Sequence, residues 1–413
     1  MQLSSKARNK ASEKHTILTP TVFISDLPPI ESGGIATHSI AWTMASVLAD
    51  DVTFVLTRKY HRRISLEPLR NLLGHKLIIY PDFSFLGLRS VSNFLRALFD
   101  ACLFFIIWPA LKRRLNRKGI TRVIALCGNH WGFLPILWLI KRSGQFCVEL
   151  YMVDDLPASA QMHGRKLEAW WTSRLESCIL PKLDTVYTIS KGYATRLQNQ
   201  YHLKRCAFLP VPVRQISIAG RERPTAERTC RIIAFSGSLN DLYREPLQEL
   251  STILKKLNLN QKAPTYRLRL FSARKPTNIV DIFGDNNDLE LVVGLKNNEL
   301  LDALSGSWAN FLPYTFNEAL RTMVSTAFSC KIAEYLLAGR PILVYGPDYA
   351  SVPQHFMEHN IPLVETSRGN LTSLIDRVDM YPESFLKKKY QHMLNQYHSP
   401  MALRRHLRFT PQQ

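Results

Sequence analysis

A chain of 413 residues is too long for one ordinary domain and suits two units of about 200 residues each. With 46% hydrophobic and 21% charged side chains it can bury two cores, which excludes general disorder; only Met1–Glu13 has the composition of a loose, basic tail. The formal net charge of +20 calls for an acidic counterpart, which could be nucleic acid, anionic lipid or a phosphorylated substrate.

Residues 1–122 hold 18 basic and 8 acidic side chains, so half of the excess lies in under a third of the chain. Its densest part is Lys112–Lys118, a run that also suits a solvated helix end. No interleaved aromatic–basic motif accompanies the charge, so nucleic acid is not the expected partner. The seven cysteines are an odd number without a CxxC pair, which points to reduced, buried thiols and a cytoplasmic setting. The basic N-terminus is not followed by the apolar stretch of a secretory signal. The apolar segment Ala97–Leu111 is too short to span a bilayer, which takes about 20 residues, but its basic flanks suit an interfacial helix.

In chain order, short aliphatic runs alternate with longer amphipathic segments, the pattern of a parallel sheet covered by helices. Strands are expected at Thr21–Ser25, Val52–Leu56, Lys76–Tyr80, Arg122–Leu126, Phe146–Met152 and Thr185–Ile189. Helices are expected at Ile35–Leu48, Val91–Lys118, Phe133–Arg142, Arg165–Leu180 and Gly192–Tyr201. The rhythm stops at Leu209-Pro210-Val211-Pro212-Val213 and the polar stretch after it. It resumes with a strand at Arg231–Phe235, a loop Ser236–Tyr243 and a helix Glu245–Leu257, then strands at Arg267–Phe271, Leu289–Val293, Ala309–Leu312 and Pro341–Tyr345. The expected division is an N-terminal unit over 15–213, a linker over 214–230, a second unit over 231–383, and a C-terminal helix and tail over 384–413 that return to the first unit. Ligands of such sheets bind beyond the carboxyl ends of the strands, so the cleft between the units is the expected site.

Two segments carry the chemistry. The loop holding Gly33 and Gly34 joins a strand to a helix; paired glycines let backbone N–H groups approach a phosphate or sugar, and the helix start adds partial positive charge. The same pair also serves as a plain turn, and neither a dinucleotide fingerprint nor a phosphate-binding Walker motif is present. His38 follows in the first turns of that helix. The second segment runs from Lys331 to Val344 and reads as a helix closed by Gly339, then a strand. Lys331 and Glu334 share one face near its start. The carboxylate can accept two ribose hydroxyls and the ammonium can face a diphosphate, although a surface ion pair has the same spacing.

Smaller candidates are Asn129-His130-Trp131 after one strand and Asp154-Asp155 after another, the former suited to a sugar and the latter to a ligand or a helix cap. No third ligand accompanies the two acids, so no metal is expected.

SGGIATHS after the first strand and FSCKIAEYLLAGRPILVYGP near the end, with VDDLP, FLPVPV, IIAFSGSL and ELLDALSGSWANFLPY between them, resemble the family-4 glycosyltransferases of the GT-B fold. The likeness covers about residues 20–385. It implies two Rossmann-like α/β domains and retaining, metal-independent transfer from a UDP- or GDP-linked sugar, with no other cofactor. A membrane-associated acceptor, such as a glycan or lipid-linked saccharide, would suit a cytoplasmic protein whose residues 89–118 can dock on an anionic membrane. Carried over residue by residue, the resemblance sets Gly33 and Gly34 over the diphosphate or reacting sugar, Glu334 at the ribose and Gly237 at the end of the first strand of the nucleotide-binding half. Arg244 and Lys331 are the candidates for holding the phosphates, and His38, beside the glycines, with Ser238, Ser329, His130 and Asp154 are further candidates from their places in the chain. The chain departs from the family where Thr326 replaces the first of two paired glutamates and Ser238 replaces an arginine. A non-catalytic protein of the same fold that binds nucleotide sugar is therefore the alternative reading.

Overall fold

The computed structural model describes residues 20–25, 36–57, 67–80, 93–127, 130–214, 217–218, 230–259, 264–276, 279–284 and 286–408. Two parallel sheets organise them. The first comprises β1 (Thr21–Ser25), β2 (Val52–Thr57), β3 (Leu77–Tyr80), β4 (Arg122–Cys127), β5 (Cys147–Met152), β6 (Thr185–Thr188) and β7 (Cys206–Phe208), in the order β3-β2-β1-β4-β5-β6-β7. The second comprises β8 (Cys230–Ser236), β9 (Thr265–Ser272), β10 (Leu289–Val293), β11 (Ala309–Pro313), β12 (Ile342–Tyr345) and β13 (Val364–Glu365), in the order β10-β9-β8-β11-β12-β13. Each half thus grows outward from its own first strand in the same sequence, and the pairings of these strands are all parallel. This is the doubly wound α/β class expected from the sequence.

Parallel strands are covered on both faces, so they are apolar without alternation. TVFIS in β1, RVIALC in β4 and ANFLP in β11 are buried at every position. Among the described residues, the expected strands are present with ends shifted by at most two residues. The sequence reading omitted β7 and β13, three and two residues long, and the helices Glu67–Leu73, Leu156–Met162 and Ser351–Glu358. Elements this short repeat the hydrophobic pattern at most about twice, too few times to stand out.

Two helix starts move upstream. The helix expected from Glu245 begins at Asp241, because Asn240 accepts the Leu242 N–H at 3.1 Å and so caps the helix start. That takes Arg244 out of the expected loop region and into the first turn. The helix expected from Phe133 begins at His130, so His130 belongs to a helix start and not to a loop.

The halves meet through the helix Lys191–Tyr201 of the first and the segments around Ser325 and Ser351 of the second. The Ser190 hydroxyl donates to the Thr326 carbonyl at 2.7 Å, and Lys191 pairs with Glu358 at 2.5 Å. Gly192 leaves no room for a side chain between the Ser325 carbonyl and the Ser351 hydroxyl. The C-terminal segment crosses back. His398 Nδ1 donates to the Val211 carbonyl and its own carbonyl accepts from Val213, both at 2.7 Å, while Arg404 donates to the Val47 carbonyl at 2.8 Å. One buried cluster runs continuously from Phe23 and Phe54 through Val211 and Phe328 to Tyr390 and Leu403.

Candidate active site

The carboxyl end of β8 runs into the start of the helix Lys331–Ala338. Gly237 follows β8 with φ 156° and its N–H donates to the Phe271 carbonyl at 2.9 Å. A Cβ there would stand 2.9 Å from the Phe235 ring and 3.1 Å from Lys331 Nζ, so only glycine lets the backbone pass this close to the ammonium. The Ser236 N–H donates to the Tyr335 hydroxyl at 2.8 Å, which ties the strand end to the helix. Gly339, at φ 69°, closes that helix where the sequence reading placed its end.

Lys331 and Glu334 are half-buried on one face of this helix start. Burial pushes the Lys331 ammonium below its ordinary value, an effect that Glu334 and Cys330 partly oppose. Burial likewise pushes the Glu334 carboxyl up, with Lys331 pulling it back. Each charged form is therefore short of water and only partly compensated by the other. Among the described residues, neither the Lys331 ammonium nor the half-buried Arg244 guanidinium has a hydrogen-bonded partner or an ion pair. Ser329 is buried beside them, its hydroxyl oxygen accepting the Lys331 N–H at 3.3 Å.

The first sheet contributes from across the cleft. Asp154 is exposed just past β5, where Tyr193 donates to its carbonyl at 3.2 Å. Its charge acts on Cys330, Tyr243 and Tyr151, which brings it into the electrostatic neighbourhood of the Lys331 helix. Burial first, then Asp154 and Glu334, pushes the Cys330 thiol up to about 12, so it stays protonated. Asp155, by contrast, is a structural residue: it caps the helix Leu156–Met162 by accepting from Ala158 at 3.0 Å and pairs with Arg196.

Two groups here were missed from the sequence. The hydroxyl of Tyr151 on β5 is fully buried and has no hydrogen-bond partner among the described residues, and that of Tyr314, just past β11, is fully buried against Tyr243 and the Ser329 backbone. A buried hydroxyl left unsatisfied points to a water or ligand. Nothing in the sequence sets these tyrosines apart, because tyrosine at a strand end is common in any core.

Gly33 and Gly34 lie outside the described residues, as do Asn129 and the side chain of His130. His38 is buried in the helix Ala36–Leu48. Ser238 is exposed and its hydroxyl accepts from Asn240 at 3.4 Å. Thr326 ends the short helix Arg321–Thr326, buried, with its hydroxyl donating back to the Thr322 carbonyl at 3.0 Å.

No protein-family model matches the chain, and no curated protein matches its sequence. Solved structures do. The E. coli trehalose-6-phosphate protein bound with UDP-2-fluoro glucose is 11% identical over 91% of this chain and 94% of its own, with a TM-score of 0.58. A TarM variant from S. aureus, in complex with fondaparinux, alpha-GlcNAc-glycerol and UDP, is 10% identical over 93% and 98%, with a TM-score of 0.57. A Listeria monocytogenes protein assigned as a UDP-N-acetylglucosamine 2-epimerase is 13% identical over 94% of each chain, with a TM-score of 0.52. Agreement over the whole of both halves decides the architecture.

The fold is GT-B. At these identities the comparison establishes the fold and leaves chemistry to the residues. The Lys331 helix follows β11 of the second sheet in the chain, Gly237 and Arg244 follow β8, and Asp154 follows β5 of the first sheet.

Proposed function

We infer that the protein transfers a sugar from a nucleotide diphosphate, UDP in the first instance, to an acceptor hydroxyl. The observation that carries this reading is the meeting of Gly237, Lys331 and Glu334 at the end of β8, with a desolvated ammonium beside a glycine that no side chain could replace. The three neighbours differ in what they bind, but each description contains a uridine diphosphate group.

In this reading Glu334 accepts the ribose hydroxyls, while Lys331 and Arg244 take the diphosphate. As the acceptor oxygen bonds to the anomeric carbon and the bond to the diphosphate breaks, negative charge grows on the leaving group. Fixed cations in a water-poor cleft stabilise that charge without reorganising. Asp154, Ser329 and the buried Tyr151 and Tyr314 hydroxyls supply polar contacts near the reacting sugar. We assign retention of configuration and no metal at this centre, in line with the resemblance of the Lys331–Val344 block. Gly33, Gly34, His38, Ser238 and His130 complete the proposed site on sequence grounds.

The acceptor is proposed to be membrane-associated. Ile106 is 73% exposed, Leu167 84% and Trp170 63%, on two helices that both pack against the helix His130–Arg142. Exposed Arg113, Arg114 and Arg117 continue the first of them. Among the described residues no helix is long and apolar enough to cross a membrane.

A second reading rests on Thr326. Its side chain is buried against its own helix, so it cannot reach a donor sugar as a glutamate at this position could, and a binder without turnover would tolerate that. Calorimetric titration with UDP and GDP, beside mass spectrometry of UDP-sugars offered with lipid-linked and free glycans, separates the two. Binding with transfer supports the enzyme; binding without turnover on any acceptor supports the binder. Absence of nucleotide binding would refute both.

A further inference from the structure

Away from the cleft, the helix Ser351–Glu358 and the residue after it present a second cluster. His355 and His359 are one helical turn apart, with Glu358 between them, and one ligand atom from each lies within 4.8 Å of the other two. Both imidazole Nε2 atoms are enclosed and have no hydrogen-bond partner among the described residues. His355 is only 3% exposed, its ring fixed among Phe208, Phe328 and Tyr397 at centroid distances of 5.6, 5.2 and 5.2 Å. Beside it lies a cavity of ≈ 10 Å³, reached by Lys191, Phe208, Phe328 and Glu358, with room for one water-sized occupant.

We propose that His355, Glu358 and His359 form a binding site for a borderline divalent transition-metal ion, of which Zn²⁺ is the type, at the junction of the two halves. Two imidazoles and a carboxylate are a donor set for such an ion, and a water in the cavity would complete four-coordination. Mg²⁺ and Ca²⁺ prefer oxygen and are poorly served by two nitrogens. One ligand is held rigid by its aromatic surroundings, whereas Glu358 is exposed and His359 half-buried, so small rotations of these two close the set around an ion. Lys191 Nζ, 2.5 Å from Glu358, already places a positive charge at this spot. The ammonium and the ion therefore compete for the same carboxylate, and binding the ion takes Glu358 from the pair that joins the halves.

The test is equilibrium dialysis of the full chain against Zn²⁺, with Mg²⁺ as the hard-cation control and Co²⁺ as the spectroscopic probe. One Zn²⁺ per chain is expected, undisturbed by Mg²⁺. Even outer partners of metal ligands cost about 10–100-fold in affinity when removed, so His359→Ala, which deletes a ligand, should cost about 100-fold or more. His359 lies just past the helix and is half-buried, so this variant is suited to remain folded, and unchanged far-ultraviolet dichroism confirms it. Lys191→Met should raise affinity by a few-fold, since a half-exposed ion pair is worth about 1 kcal/mol or less. Three results would each overturn the site: no stoichiometric Zn²⁺ in the parent, equal affinity in folded His359→Ala, or thiolate charge transfer in the Co²⁺ spectrum, which would assign the metal to a cysteine.

Discussion

The two sheets share a strand order but use their ionisable residues in opposite ways. In the first, Arg122 on β4 and Glu149 on β5 face each other inside the sheet, joined at 3.1 and 2.6 Å, and Tyr187 on β6 donates to the same carboxylate at 3.2 Å. In the second, Lys331, Glu334 and Arg244 lie at the carboxyl ends of the strands, desolvated or half-buried and without such a fork. A buried pair whose lone pairs are filled is internal structure. Buried charges at a strand end, whose partners stop short, leave the pairing to a ligand. The comparison predicts that variants in the first set lower stability and spare binding, and that those in the second do the reverse.

The largest effect is expected from Glu149→Gln. It strands a buried guanidinium, and breaking such a pair costs about 3–5 kcal/mol. Urea unfolding should show a midpoint lowered accordingly, while UDP affinity measured on the folded protein stays at the parental value. Replacing both partners, Arg122→Met with Glu149→Leu, should recover most of the loss, because two apolar groups of similar volume need no partner. If the double replacement were as unstable as the single one, the pair would not be the structural unit described here.

Lys331→Met and Glu334→Ala test the other side. Each removes a charge-assisted contact to the donor worth about 1.5–3 kcal/mol, so UDP affinity should fall roughly 10- to 100-fold by calorimetry. Stability should hold or rise, since a poorly compensated buried charge has been removed. A clear drop in unfolding midpoint with unchanged affinity would place these residues with Arg122 and Glu149.

A pH series sharpens the same contrast at smaller amplitude. Burial raises Glu334 above 4.5 and lowers Lys331 below 10.5. Donor binding needs the carboxylate and the ammonium, so affinity should decline on acidification from above pH 4.5 and on alkalinisation from below pH 10.5. The phosphate of UDP titrates as well, and Glu334→Gln isolates the protein's share: the acidic limb that belongs to Glu334 should disappear in it. Stability follows the other sign. The folded state holds the Glu334 proton more tightly than the unfolded chain, so this group's contribution falls as pH rises from 4.5 through its raised value.

Much of this contrast was legible in the sequence, and the rest was hidden for definite reasons. Unbroken apolar runs such as VIALC gave the strands, and helix–Gly–Arg–Pro–strand gave the Lys331 helix with its cap. Arg122 and Glu149 passed unnoticed as a pair because only strand register sets residues 27 apart side by side. The unpartnered Tyr151 hydroxyl depends on what surrounds it, which periodicity does not encode. His355 and His359 stand at the spacing of one helical turn, yet the eight-residue helix that holds His355 and ends just before His359 was not expected, and without it the spacing has no geometric meaning. Arg244 moved into a helix because Asn240 caps two residues earlier than the apolar pattern begins.

The smallest effect per residue is expected at the basic surface of the first half. From sequence alone, Ala97–Leu111 reads as one interfacial apolar stretch, but Phe104, Trp108 and Leu111 turn into the core, where Trp108 meets Phe146 edge to face. Among the described side chains, Phe105 and Ile106 face outward, with Leu167, Trp170 and Trp171 on a helix packed against the same neighbour. The proposed docking surface is therefore shared by two helices, and charge would supply much of its affinity. Each basic side chain near anionic lipid is worth about 1 kcal/mol. Neutralising Arg113, Arg114 and Arg117 together should then weaken co-sedimentation with anionic liposomes by about 100-fold, with little change in urea stability because all three are exposed. Binding by the parent should rise with anionic lipid and fall with salt over the screening range. Trp170→Ser should weaken it at any salt concentration, because the contribution it removes is apolar. Equal, negligible sedimentation on neutral and anionic liposomes would leave the three arginines as ordinary solvated charges at a helix end.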